Sequence, residues 1–362
     1  MVDMNDSRRL SDHHDHRHHP SNCELQHMDP HYSLSSQASP STWRVGSDVG
    51  KCSLSSVMPR VNAQISCNIK LIDTAISHLR GKKLVLMGDS IMLQQWLATI
   101  LLLSSSGIGL SCPDLRGIYL AGWDGIPHFW CTHTNAPSSV RMSLCFAHNY
   151  PELHELAPRL KELVVSGDVN KHDVVLLNTG IWHPTDFDMT KGALDDLHNL
   201  MDDPSALSTP ISLPGSPATG MPRIFWRETA PQHFPTSKCP EGDDSQSGCG
   251  SMWNLPVDEQ SRCAPCPKNI SQSFECGGRG VERQNRVAQE HIAAHHRDSP
   301  KSNLPIVPIW QRSIADWEYH LGVTTNRNVS TILDCTHWCL PSTTVNSWTL
   351  QLFAMLTGGK QC

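Results

Sequence analysis

KKLVLMGDSIMLQQW, residues Lys82–Trp96, holds a continuous apolar run, then Gly-Asp-Ser, then a second apolar stretch. The first run, Leu84–Met87, does not alternate, which fits a strand covered on both faces. The second, Ile91–Leu103, fits a buried helix that carries Gln94 and Gln95 near its start. A strand that passes into a helix through Gly88-Asp89-Ser90 has two readings. Asp and Ser both cap helices well, so the tripeptide can be a plain turn. A hydroxyl at a helix N-terminus also lies beside free backbone N–H groups, which can hold an oxyanion, so Ser90 can be a nucleophile. The tripeptide alone does not choose between them.

The same rhythm recurs along the chain. DVVLLN (173–178), RIFWR (223–227) and LPIVPIW (304–310) join KLVLM (83–87) as apolar runs. Helical stretches at Ile91–Leu103, Pro151–Val165 and Glu282–His296 separate them. Strands alternating with helices predict an α/β domain, here 46–362, with a doubly wound, parallel central sheet. Residues 1–45 are polar, rich in His, Ser and Asp and without periodicity, which predicts a disordered tail. Its run HHDHRHH (His13–His19) is either a loose transition-metal binder or an incidental part of that tail. Residues of about 202–220 are rich in Pro, Ser and Gly and read as a loop. From about 237 to 280, five Cys lie among Gly, Ser, Pro and Asp, an insertion stapled by disulfides or built on zinc. Cys263 and Cys266 form one CxxC, but no second CxxC or His pair completes a ligand set, so disulfides are the better reading.

With 362 residues, 38% of them hydrophobic and 18% charged, the chain can build a substantial core. A net charge of −6 argues against a general nucleic-acid binder. No apolar run is long enough for a transmembrane segment. No signal peptide reads from Met1. Fourteen Cys, with sequons at Asn5, Asn269 and Asn328, nonetheless point to an oxidising secretory lumen. A truncated sequence or an upstream anchor would reconcile the two observations, and the conflict between them stays open.

Polar residues end each strand. Gly88-Asp89-Ser90 ends the first, NTGIWH (Asn178–His183) the second and ETAPQHF (Glu228–Phe234) the third. Ligands of open α/β sheets bind outside the carboxyl ends of the strands, so the three can line one cleft. TILDCTHWCLPS (Thr331–Ser342) supplies Asp334 and His337, whose spacing on a single turn sets a carboxylate beside an imidazole. A Ser nucleophile needs such a base and such an orienting acid. Cys335 and Cys339 flank the His, where disulfides can fix the loop. The plainer reading makes Asp334 a helix cap and His337 a surface residue.

GDS, NTGIWH, APQHF and DCTHWCLP followed by NSW, in that order, resemble the trichome birefringence-like proteins, in the PC-esterase branch of the SGNH (GDSL-type) hydrolases. The likeness runs from about Lys82 to Leu356. It implies an SGNH-like three-layer α/β/α sandwich in the Golgi or secretory lumen. The activity implied is O-acylation, usually O-acetylation, of polysaccharide hydroxyls, with some relatives hydrolysing esters. Carried over by position, Ser90 is the nucleophile, Asp334 and His337 its acid and base. Asn178 and the Ser90 backbone N–H are the oxyanion donors. Gly117, Gly122 and Gly125 are candidates for a further donor. Two positions depart from the pattern. Plant members usually carry an Arg three residues after the Ser, where this chain has Leu93, which leaves no basic group near the nucleophile. The Gly that often follows CLP is Ser342.

The expected reaction is two-step acyl transfer from an acyl donor, such as an acetyl thioester or ester, to a polysaccharide or oligosaccharide acceptor, with no metal or organic cofactor. Trp182, His183, His233 and Trp338 adjoin the motifs and are candidate substrate-binding residues. Trp182, Trp226 and Trp338 can stack on sugars or simply pack. A plain esterase would use the same triad. A catalytically dead carbohydrate-binding protein, and a metal-binding protein built on the His tail and Cys insertion, are the readings of other classes.

Overall fold

A computed structural model of the chain describes residues 54–111, 129–148, 153–178, 180, 186–203, 220–233, 263–265, 281–299, 303–325 and 331–362. The His-rich tail, Trp182, His183, the three candidate glycines and most of the 237–280 insertion lie outside these residues.

Eight strands and seven α-helices are described. The strands are β1 (Lys83–Gly88), β2 (Phe129–His133), β3 (Ser143–His148), β4 (Val174–Asn178), β5 (Arg223–Arg227), β6 (Ile306–Val307), β7 (His320–Thr325) and β8 (Thr331–Trp338). The helices are α1 (Leu54–His78), α2 (Ser90–Ser105), α3 (Leu156–Val165), α4 (Phe187–Asp202), α5 (Val281–Asp298), α6 (Trp310–Ser313) and α7 (Thr343–Thr357). The main sheet has the order β2-β3-β1-β4-β5-β6. Its pairs are parallel except β2 with β3. The expected α/β architecture with a mostly parallel sheet is present.

Alternate residues of the central strands feed two separate cores, the mark of a sheet covered on both faces. Leu84, Leu86, Leu144, Phe146, Leu176 and Phe225 pack with α1, α2 and α7. Val85, Met87, Ala147, Val175, Leu177 and Trp226 pack with α3, α4 and α5. Trp226 is therefore core. β1 lies between β3 and β4, so the chain switches direction across the sheet at the strand that carries Gly88-Asp89-Ser90. That switch point is where open α/β sheets form their clefts.

α1 is absent from the sequence reading, because Pro59 and scattered polar residues obscure its period. Val57, Val61, Ile65, Ile72, Ala75 and Leu79 nonetheless form one buried stripe at helical spacing. α1 packs against α7, and Cys67–Cys362 joins α1 to the end of the chain. Cys131–Cys145 staples directly opposed residues of β2 and β3. LPIVPIW gives only the short β6 before turning into α6. Among the described residues no helix is long and apolar enough to cross a membrane.

β7 and β8 form a separate two-stranded sheet, and it carries the DCTHW motif. The single helical turn expected for Asp334–His337 is thus an irregular strand. Between the pairs His320↔Trp338 and Gly322↔Asp334, β7 advances two residues and β8 four. The surplus bulges out of β8. In a flat strand, residues three apart face opposite sides; the bulge removes that obstacle.

Candidate active site

Ser90 opens α2. Asp89 caps the helix, its Oδ1 accepting from the Ile91 N–H at 3.0 Å. Gly88 is required by proximity rather than by turn geometry alone. A Cβ there would lie 1.8 Å from the Asn178 carbonyl oxygen and 2.5 Å from Met92 Cγ. β1 and β4 therefore come together at the point where Ser90 is presented.

The two ends of the chain meet here. Ser90 Oγ lies 2.8 Å from His337 Nε2. His337 Nδ1 lies 3.0 Å from Asp334 Oδ2 and 3.2 Å from Oδ1. A carboxylate only accepts, so Nδ1 carries the proton and Nε2 offers its lone pair to the Ser90 hydroxyl. Asp334 Oδ1 also accepts from the N–H of Thr336 at 3.1 Å and of His337 at 2.9 Å. Those two bonds fold the bulge and hold acid and base together. All three side chains are buried, Ser90 being 3% exposed.

Several side chains not singled out by the sequence fix this meeting. Gln94, one turn after Ser90, brackets the Trp338 backbone: its Nε2 donates to the carbonyl at 2.9 Å and its Oε1 accepts from the N–H at 3.0 Å. The next amide, Gln95, accepts from Arg227 Nη1 at 2.9 Å. Arg227 is fully buried, and its guanidinium lies 5.2 Å from the Trp348 ring. Burial lowers Arg227 to about 10, while the Asp89 carboxyl opposes the shift. Burial pushes Asp89 up, and Arg227 counters it. The absence of a basic group, expected from Leu93, is thus corrected: the cation arrives from β5. Two amides in an apolar helix and an Arg ending an apolar strand were the available signals.

Asn178 has a different job from the expected oxyanion donor. Its Nδ2 donates to the Arg227 carbonyl at 2.8 Å and to Thr229 Oγ1 at 3.1 Å. Its Oδ1 accepts from the Gly180 N–H at 3.2 Å and from Arg227 Nη2 at 3.3 Å. Acceptors on one side and donors on the other fix the amide orientation and use both of its hydrogens. The Ser90 N–H lies at the start of α2, where first-turn N–H groups have no intrahelical partner.

Two candidate substrate residues are also corrected. His233 is buried and hydrogen-bonded to His320 and to the Ile314 carbonyl. Trp338 is fully buried, edge-on to Trp348 at 5.7 Å. Trp338 lies on the core side of β8, and His233, on the segment after β5, packs edge-on against it at 5.9 Å. The backbone around them is stitched: His233 N–H donates to the Cys335 carbonyl, and Ala264 N–H to the His233 carbonyl. Cys263–Cys335 bonds the Cys-rich insertion to the strand bearing acid and base, so Cys263 is a disulfide rather than a zinc ligand. Cys339 is disulfide-bonded as well. Ser342 caps α7, accepting from the Val345 N–H at 3.2 Å in an extended conformation that needs no glycine. Among the described residues, no group of three or more His, Cys, Asp and Glu is arranged to hold a metal ion.

No protein-family model matches this chain, and no curated protein matches it in sequence, so the functional reading rests on the geometry and the motifs.

Proposed function

We propose that this protein is a serine O-acyltransferase that acylates, most simply acetylates, polysaccharide hydroxyls in the Golgi or secretory lumen. The observation that carries the reading is the Ser90–His337–Asp334 chain, with contacts of 2.8 and 3.0 Å. His337 Nε2 takes the Ser90 proton as Oγ bonds to the donor's carbonyl carbon. The resulting oxyanion faces the Ser90 N–H at the positive end of α2. His337 then returns the proton to the departing thiol or alcohol, the carbonyl carbon–leaving group bond breaks, and an acyl-Ser90 ester remains. A sugar hydroxyl gives its proton to His337, attacks that ester, and leaves acylated, with Ser90 restored. Asp334 holds the tautomer and steadies the imidazolium in both halves. Burial of the triad supports transfer, since a site that excludes water protects the acyl-enzyme from hydrolysis.

An esterase using the same triad is the second reading. The burial of His233 and Trp338 favours it, because neither can hold a sugar. Mass spectrometry of oxidatively folded protein, given an activated acetyl ester with xylan- or mannan-type oligosaccharides, separates the two. Acetylated sugar formed by wild type but not Ser90→Ala supports the transferase. Ser90-dependent ester loss without sugar acetylation favours the esterase. No Ser90-dependent turnover rules out both.

A further inference from the structure

Behind His337 lies a second imidazole chain that the acyl-transfer mechanism does not use. His320 Nδ1 is 3.1 Å from the His337 carbonyl oxygen. His320 Nε2 is 2.7 Å from His233 Nδ1, and His233 Nε2 is 3.0 Å from the Ile314 carbonyl. Both outer contacts end on carbonyl oxygens, which only accept. Each therefore needs an N–H from its ring, and the N···N contact between the rings needs a third. Two neutral imidazoles hold two protons in total. Any neutral assignment sets two lone pairs against each other, either between the rings or against a carbonyl. Turning either ring over exchanges its two hydrogen bonds for C–H contacts. Three protons on two rings satisfy all three contacts.

The surroundings suit a delocalised cation. The His320 ring lies 4.0 Å from the Trp338 ring, tilted by 38°, and His233 meets the same indole edge-on at 5.9 Å. An indole face stabilises a cation at this range. The titratable group facing the pair from β8 is His337, backed by Asp334. Among the described residues, the end of α6 contributes the Ile314 carbonyl, and α7 contributes Trp348, behind Trp338. Burial opposes the charge, holding His233 to about 4 and His320 well below its ordinary range; the Ile314 and His337 carbonyls raise the one and the other. Burial makes the proton costly, but no neutral arrangement fills the three contacts.

We infer that His233 and His320 form a proton-sharing pair that carries one positive charge and, through the His337 carbonyl, positions the base of the active site. Resting on the triad reading, it assigns that site two positioning residues and a pH dependence of its own. With the third proton, the chain from Ile314 to His337 is continuous. Without it, one link opens, and the carbonyl beside the base loses a fixed partner.

The test is ¹⁵N NMR of the full chain with labelled histidine, from about pH 3.5 to 8, with His233→Asn and His320→Gln assigning the signals. Expected are two rings that titrate together with one midpoint and, on the acid side, a strongly deshielded N–H proton absent from both variants. Neutral-tautomer shifts for both rings across the range, or two independent titrations, overturn the shared proton. The positioning role is read by the rate at which a fluorophosphonate labels Ser90. His320→Gln should slow it about tenfold, less than the roughly 10²-fold that a misplacement of about 1 Å can cost, and should remove the pH step matching the NMR midpoint. Wild-type rate and pH profile in His320→Gln overturn that role. Wild-type protein that fails to label contradicts the serine mechanism instead, and the NMR result still decides the pair.

Discussion

Gln94→Leu tests what holds Ser90 and His337 together. His320 and Trp338 are paired across β7 and β8, and the neighbouring Cys339 N–H donates to the Tyr319 carbonyl. Antiparallel pairs alternate between bonded and non-bonded, so the Trp338 N–H and C=O turn away from β7. Gln94 takes both. Leu at 94 keeps the volume and leaves those two buried groups without partners, at about 1–3 kcal/mol each. The expected loss of about 2–6 kcal/mol is a large share of a domain's usual stability of about 5–15 kcal/mol. A melting point lower by about 3–9 °C follows for a domain of this size. The chemical consequence is larger. A general base contributes about 10²–10⁴-fold, and a base off by about 1 Å forfeits much of it. Fluorophosphonate labelling of Ser90 should therefore fall about 10²-fold at a temperature where circular dichroism shows folded protein. Gln94→Glu should lie between, keeping the acceptor for the Trp338 N–H but setting a lone pair against its carbonyl. Labelling within about twofold of wild type, in a Leu variant that melts early, would refute the reasoning: the bracket would then hold the strand but not the base.

Three further outcomes follow from the same geometry. Arg227→Met should destabilise the protein by about 3 kcal/mol in urea unfolding, because Asp89 loses its buried counter-charge and Gln95 Oε1 a donor; an unchanged midpoint would show that the cation is dispensable. Gly88→Ala should cost more than about 3 kcal/mol or prevent folding, since its Cβ would meet the Asn178 carbonyl at 1.8 Å; wild-type stability would mean that the strands part easily. His198 is buried against a stacked His295, with His291 beyond, and is lowered from 6.5 to about 4 by burial first and then by those two imidazoles. The unfolded chain thus takes up this proton before the folded one. The contribution is fully present above pH 6.5 and is lost as pH falls from there to about 4. His198→Phe should flatten that part of the stability profile, measured by chemical unfolding at several pH values.

The sequence made the placement of Ser90 legible because its context is local. A buried strand, a small residue, a capping Asp and a hydroxyl all lie between Leu84 and Ser90, and periodicity reads such a unit directly. Asp334 and His337 were legible only as a pair of residue types. They suggested a turn, whereas the structure folds them in a strand through a bulge and two bonds to Asp334 Oδ1. A bulge depends on the register with β7, and register is not written in β8 alone. The same limit explains Asn178, His233 and Trp338. Each adjoins a motif, and adjacency suggested a cleft, but the direction of each side chain is set by strands distant in sequence. Gln94, Gln95 and Arg227 stood out only as polar residues in apolar runs, with nothing local to say what they meet.

That division follows from how the site is assembled. Ser90 stands on the main sheet, fixed by β1, β4 and the cap of α2. His337 stands on a hairpin outside that sheet, which shares no backbone ladder with β1. His337, on that separate pair of strands, is tied to the rest of the fold by side-chain, covalent and single backbone links rather than by a ladder. Among the described links to β8 are the Gln94 bracket, the Cys263–Cys335 disulfide, the His233 N–H to Cys335 carbonyl bond with the neighbouring Gln232 to Thr336 hydroxyl bond, and, within the hairpin, the His320 bond to the His337 carbonyl. They approach from α2, from the Cys-rich insertion, from the segment after β5 and from β7, so loss of one leaves the hairpin folded but displaced. Perturbations of these links should therefore slow Ser90 reactivity out of proportion to their effect on stability, whereas perturbations of the main-sheet core should change stability first and reactivity only as the fold is lost.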